Sequence, residues 1–182
     1  MLVLDVDGTL TDGAITLVSN NLELKSFSVK DGLILDRFSK LCINVLFLTG
    51  RSSEAVQRRA AELNCDLLEN ISNKMEALRE YLTKNRISLE STAYIGDDLN
   101  DYSAMKLCGF KSCPSDAAQE IREICDYISP HNGGHGAVRD ICEHILKQEG
   151  KYNEFLAFYG VSQIPDRSHF SEFVQKNTRS SI

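Results

Sequence analysis

Asp5 and Asp7 stand two residues apart at the end of an apolar run, in Leu4-Asp5-Val6-Asp7-Gly8-Thr9-Leu10-Thr11-Asp12-Gly13. On a strand end both side chains leave on the same side, and the glycine behind them lets the chain turn sharply. Two carboxylates facing one pocket repel by about 4 kcal/mol at ~4 Å and an effective dielectric of 20. They persist together only where a cation neutralises them or one stays protonated. A second acidic group, Gly96-Asp97-Asp98-Leu99-Asn100-Asp101, ends another apolar run directly before a helical pattern. The two groups read as sharing one divalent ion, and hard oxygen ligands with room for water and a substrate phosphate suit Mg²⁺. Thr49 and Lys74 then supply a hydroxyl donor and a fixed positive charge, as phosphoryl transfer requires. Each piece alone has a bland reading: a turn, a solvated helix start, a surface lysine. In order, and each at a strand end or helix start, they read as phosphate-ester chemistry.

The elements that must position these groups follow from hydrophobic periodicity. Short buried strands are expected at residues 2–6, 44–48, 66–68, 92–96, 110–113 and 126–128. Between them, helical patterns run over residues 33–41, from Ser52 or Ser53 to about Leu63, from Asn73 onward, and over 100–107, 115–124 and 137–147. Alternating β-branched residues on either side of Ser19-Asn20-Asn21 predict a projecting hairpin over residues 14–29. This rhythm predicts an α/β fold: a doubly wound, mostly parallel, Rossmann-like sheet that binds ligands at the carboxyl ends of its strands. The domain is expected to span residues 1–160, closing with an amphipathic segment at 152–159. Residues 161–182 then form a polar tail expected to be mobile.

Composition narrows the function classes. The 182 residues carry 20 Lys and Arg against 26 Asp and Glu, a net charge of −6, so nucleic acid is not an expected partner. No apolar run approaches the roughly 18 residues of a membrane span, so the chain reads as soluble and cytoplasmic. Six irregularly spaced cysteines, mostly within apolar stretches, read as buried free thiols. Cys108, Cys113, His131 and His135 loosely match a zinc-ligand set, but the cysteine pair brackets an apolar strand entry and the structural reading is preferred.

The constellation resembles the haloacid-dehalogenase superfamily of phosphohydrolases. Its four motifs match Asp5-x-Asp7-Gly8-Thr9, Thr49-Gly50, Lys74 and Gly96-Asp97-Asp98-x-x-Asp101. The resemblance implies that Asp5 is the nucleophile and that Asp7 is the general acid and then the general base. It also implies that Asp5, Asp97 and Asp7, the last through its backbone carbonyl, hold Mg²⁺. Asp98 would act through a metal-bound water and Asp101 would steady Lys74, while Thr49, Lys74 and the amides after Asp5 grip the phosphoryl oxygens.

Neither gap that usually carries a cap domain in that superfamily holds one here. The chain to about Tyr159 is similar to the capless branch that contains octulosonate 8-phosphate and nonulosonate 9-phosphate phosphatases. The matching segments are Asp12-Gly13, Phe27-Ser28-Val29-Lys30-Asp31-Gly32, Leu48-Thr49-Gly50-Arg51 and Gly133-Gly134-His135-Gly136-Ala137-Val138-Arg139-Asp140. This implies a phosphorylated sugar acid as substrate and a homotetramer assembled through the hairpin. Gly50, Arg51, Arg59, Lys30 and His135 join Thr49 and Lys74 as candidate substrate contacts. His135 stands where the octulosonate type carries arginine, which leaves nonulosonate 9-phosphates as the alternative substrates. Domains of that kind also occur fused behind cytidylyltransferases, and a detached form of one is compatible with Met1 lying directly on the first strand. An idle assembly or regulatory module and a phosphoaspartate receiver are the readings of other classes; the intact set of acids and lysine, and the acid-base Asp7, speak against them.

Overall fold

A computed structural model describes residues 1–18 and 23–161; residues 19–22, with the expected turn at Ser19-Asn20-Asn21, and the expected tail from Ser162 onward lie outside the described residues. The buried runs form six strands, β1 (Leu2–Leu4), β4 (Val45–Leu48), β5 (Asp66–Leu68), β6 (Ala93–Ile95), β7 (Phe110–Cys113) and β8 (Tyr127–Ile128). Between the first two of these lie β2 (Thr16–Leu17) and β3 (Glu23–Leu24), which pair antiparallel as a separate ribbon. The six strands are all parallel, in the order β5-β4-β1-β6-β7-β8. The chain winds outward from β1 to β5, then returns to place β6 on the other side of β1. That reversal is the topological switch at which open α/β sheets bind ligands.

Side-chain alternation along the strands separates two cores. Leu2, Leu4, Val45 and Phe47 pack with α1 (Val29–Phe38), α2 (Glu54–Glu62), α6 (Ala137–Gln148) and α7 (Tyr152–Ala157). Val3, Leu46 and Leu48 face the opposite way, against α3 (Lys74–Asn85), α4 (Leu99–Met105) and α5 (Gln119–Ile124). A period of two on each strand therefore buries both faces of the sheet. Among the described residues no helix is long and apolar enough to cross a membrane.

Several boundaries differ from expectation for identifiable reasons. The first strand stops at Leu4 rather than residue 6, because the amides of Thr9, Leu10 and Thr11 all converge on the Val6 carbonyl and curl the chain into a turn. Helix α1 begins at Val29, not residue 33: Ser28 caps it by accepting the Asp31 amide at 3.3 Å, which takes residues 25–29 out of the paired hairpin. The helix expected from residue 115 starts at Gln119. The Ser115 amide donates to the His131 carbonyl at 2.9 Å and Asp116 accepts the Gly133 amide at 3.0 Å, so this stretch is held by the 131–133 loop instead.

Candidate active site

Three strand ends and one helix start meet at the carboxyl edge of the sheet. Asp5 follows β1, Thr49 and Gly50 follow β4, and Asp97 follows β6, while Lys74 is the first residue of α3. They open onto a cleft of ≈ 380 Å³ lined by Asp5, Asp7, Thr49, Gly50, Arg51 and Asp97 together with the Asp98–Asn100 turn. A lysine at a helix N-terminus opposes the helix dipole, so helix formation does not account for its place. Two carboxylates do: Lys74 Nζ lies 2.6 Å from Asp5 Oδ1 and 2.7 Å from Asp101 Oδ1, all of it buried. Asn73 supplies the cap of α3 by accepting the Glu76 amide at 3.2 Å, which fixes where Lys74 leaves the backbone.

Asp101 is fully enclosed and committed to neighbours. Besides Lys74 it accepts the Tyr94 hydroxyl at 2.7 Å and the Asp97 amide at 3.2 Å, so it anchors the ammonium and the turn that carries Asp97. Asp97 accepts the Thr9 hydroxyl at 3.0 Å. Burial, reinforced by the Asp101 carboxylate, raises the Asp5 carboxyl well above its usual range, although Lys74 pulls the other way. The same two causes push Asp97 up to about 6. Burial works against the charge of Lys74, but Asp5 and Asp101 outweigh it and its pKa is raised.

Asp5, Asp97 and Asp101 each present a carboxylate oxygen within 4.8 Å of the others, the one such acidic or His/Cys grouping among the described residues. Crowded hard oxygens with a single lysine among them fit a divalent cation of the magnesium type. Asp7, expected to reach the metal through its backbone carbonyl, directs its carboxylate to Lys25. The histidines and cysteines of the zinc-like pattern form no such group.

Two glycines make the close approach possible. Gly8 has φ +92°, and a Cβ there would stand 2.0 Å from Asp97 Oδ2, so only glycine admits that carboxylate beside the first turn. A Cβ at Gly133 would stand 1.8 Å from the Gly8 carbonyl oxygen, while the neighbouring Gly134 amide donates to Thr9 O at 3.1 Å. The glycine-rich 133–136 segment is thus a clamp on the Asp5–Gly13 turn. Gly133→Ala is expected to cost about 1–3 kcal/mol through overpacking and to lower turnover at the same time. Thermal unfolding and phosphate release on the same preparation check both.

The remaining predicted residues are distributed unevenly. Thr49 is buried, its hydroxyl accepting the Arg51 amide at 3.2 Å. Arg51 reaches the rim and pairs with Glu23 at 2.7 Å. Asp98 caps α4 by accepting the Leu99 amide at 2.7 Å. Arg59 does not line the cleft: its guanidinium pairs with Glu62 at 2.9 Å, contacts the Ser28 carbonyl and lies over the Phe27 ring. Lys30 and His135 are also apart from the acids, lining a neighbouring cleft of ≈ 460 Å³ with Arg139 and His131. Lys25 was not expected at all. The available signal was its spacing from Glu23, which puts both on one face of the β3 segment.

Comparison with known proteins agrees with this arrangement. Residues 62–141 match the family described as haloacid dehalogenase-like hydrolase. The 3-deoxy-D-manno-octulosonate 8-phosphate phosphatase of Escherichia coli is 39% identical over 155 residues, 85% of this chain and 82% of its own. The enzyme of that name from Moraxella catarrhalis, crystallised with magnesium ion, phosphate ion and KDO, superposes with a TM-score of 0.84 at 40% identity, covering 87% of this chain and 91% of that one. The cobalt-bound form from Haemophilus influenzae gives 0.81 at 34% identity, covering 85% and 91%. The fold, its acidic cleft and these relatives place the chain in the haloacid dehalogenase-like hydrolases, and it belongs to that family. Within it, the protein is a phosphoric monoester hydrolase, and its grouping of Asp5, Asp97 and Asp101 suits a divalent ion.

Proposed function

We propose that the protein hydrolyses the phosphate ester of a 3-deoxy-2-ulosonic sugar acid, of the octulosonate 8-phosphate type, through an aspartyl-phosphate on Asp5. The observation that carries this is the buried Asp5–Lys74–Asp101 group at the mouth of the sheet, in a chain 39% identical to a phosphatase named for that substrate. Lys74 holds one oxygen of Asp5 and so aims the other at the cleft. In the first half-reaction the Asp5 oxygen bonds to phosphorus as the bond to the leaving oxygen breaks, and Asp7 gives that oxygen a proton. In the second, water bonds to phosphorus, the acyl-phosphate bond breaks, and Asp7 takes the water's proton. Thr49 and Lys74 hold the phosphoryl oxygens, and Arg51 at the rim meets the sugar-acid carboxylate. Asp5, Asp97 and the Asp7 backbone carbonyl would hold Mg²⁺, with Asp98 acting through water. The ion, when bound, offsets the charge of the acids and of the phosphoryl group.

The hairpin and its surroundings support a homotetramer. Leu17 and Val29 are 72% and 80% exposed, and Ile15, Leu24 and Leu33 are exposed as well, in and just after a two-stranded ribbon that is not stable alone. Six cysteines, none of them in a disulfide, suit a reducing cytoplasm. His135, on the neighbouring cleft in place of arginine, supports the second reading, a nonulosonate 9-phosphate substrate.

Steady-state phosphate release with Mg²⁺ is the test. Turnover of octulosonate 8-phosphate is expected to exceed that of a nonulosonate 9-phosphate and of simple sugar phosphates, and to vanish on chelation and return with added Mg²⁺. A preference for the nine-carbon ester would select the second reading; equal turnover of unrelated phosphates would remove both.

A further inference from the structure

Lys25 is a buried cation for which the chemistry proposed above has no task. Its side chain is 1% exposed, its ammonium pairs with Asp7, and it lies 2.7 Å from Glu23 Oε1. The other oxygen of Glu23 is 2.7 Å from Arg51 Nη2. The result is a continuous chain of alternating charge, Arg51–Glu23–Lys25–Asp7, running from the end of β4 through β3 and the residue that follows it to the turn after β1. Taking a lysine out of water costs several kcal/mol and is recovered only by good geometry with its partners. A two-residue strand such as β3 has little backbone pairing with which to place such a group on its own. The placement therefore serves the partners.

Asp7 is the partner that needs it. It stands beside Gly8, where the chain leaves extended geometry, and among the described residues Lys25 is the group that hydrogen-bonds its carboxylate. Asp5 and Asp97, by contrast, are fixed by Lys74 and Thr9. From the moment Asp7 gives its proton to the leaving oxygen until it takes one from water, it is an anion at the edge of an acidic cleft, and free rotation would carry it away from the reacting atoms.

We infer that Lys25 is a positioning residue for the hydrolysis: through its ion pair it holds the Asp7 carboxylate in line with the leaving oxygen, acting on Asp7 and not on the substrate. This rests on the reading of Asp7 as the general acid. It also ties the hairpin to the catalytic apparatus of its own subunit, since Glu23 lies in β3 and Lys25 directly follows that strand.

A group that positions a proton donor matters most when the leaving group is a poor one. The test compares kcat/KM, in the full chain with Mg²⁺, for p-nitrophenyl phosphate and for octulosonate 8-phosphate, whose alkoxide leaving group requires the proton. Lys25→Met is expected to lose about tenfold or more on the sugar ester and no more than about threefold on the aryl ester, with Lys25→Arg recovering most of the loss. An equal loss on both esters, no loss on either, or a rise in KM at constant kcat would overturn the inference. Should Lys25→Met fail to fold, Lys25→Gln carries the same comparison. Asp7→Asn measured beside it separates the two levels. If that variant shows no leaving-group dependence, the assignment of Asp7 as acid fails first, and the role of Lys25 fails with it.

Discussion

Asp5→Asn is expected to lower turnover by about 10⁴-fold or more, the scale seen when the nucleophile of a covalent mechanism is removed. The amide has the shape of the carboxylate but does not displace an alkoxide from phosphorus. The fold should survive, and in metal-free buffer it should be at least as stable as the wild type. The substitution removes one of three crowded acids, one whose burial already disfavours its charge, and it leaves Lys74 paired with Asp101 at 2.7 Å. Phosphate release and thermal unfolding measure the two halves of the prediction. Turnover within tenfold of wild type would exclude a covalent route through this residue.

Lys74→Met is expected to damage both activity and stability. Breaking a buried ion pair by removing one member typically costs about 3–5 kcal/mol, because the charge left behind has no partner. Here two carboxylates are stranded, Asp5 and Asp101, the latter fully enclosed with only the Tyr94 hydroxyl and the Asp97 amide remaining. Urea unfolding near neutral pH should show the loss, and Mg²⁺ should restore part of it, since an ion bound only by the folded state shifts the equilibrium toward that state. Turnover should stay low even where stability is restored, because the fixed charge on the phosphoryl oxygens is still missing. A variant as stable as wild type in metal-free buffer would show that the ammonium does not hold these acids together.

Most of the site was legible because each group sits where periodicity breaks. Asp5, Thr49 and Asp97 each end a buried run, and Asn73 announces the helix that Lys74 begins. A period of two buries both sheet faces, so strand ends could be found from apolar runs alone. Lys25 was hidden for the opposite reason. In an alternating hairpin a lysine reads as solvated, and only the folded-back ribbon turns it inward onto Asp7. Arg59 shows the limit of helical spacing as a guide: two turns from Ser52 bring it to Phe27 and Ser28 beside Gly32, where its guanidinium fills the space a Cβ would need. Hydrophobic periodicity starts α1 four residues late although Ser28 and Asp31 carry the spacing of a capping pair, because the β-branched Val29 extends the hairpin pattern across it.

The central position of β1 bears on how the protein is made. Its backbone is held on one side by β4 and on the other by β6, and even the terminal amine donates to a carbonyl ninety residues away, at Ser91. Parallel pairing at such separation is slow to form, since a long loop must close before any contact rewards it. During synthesis β1 therefore waits unpaired until β4 and β6 have followed it, a period of exposure in which a nascent chain is prone to sticking to its neighbours. The surroundings of Asp5 are complete only once the ribosome has passed Asp101, since Lys74, Asp97 and Asp101 all follow it in the chain.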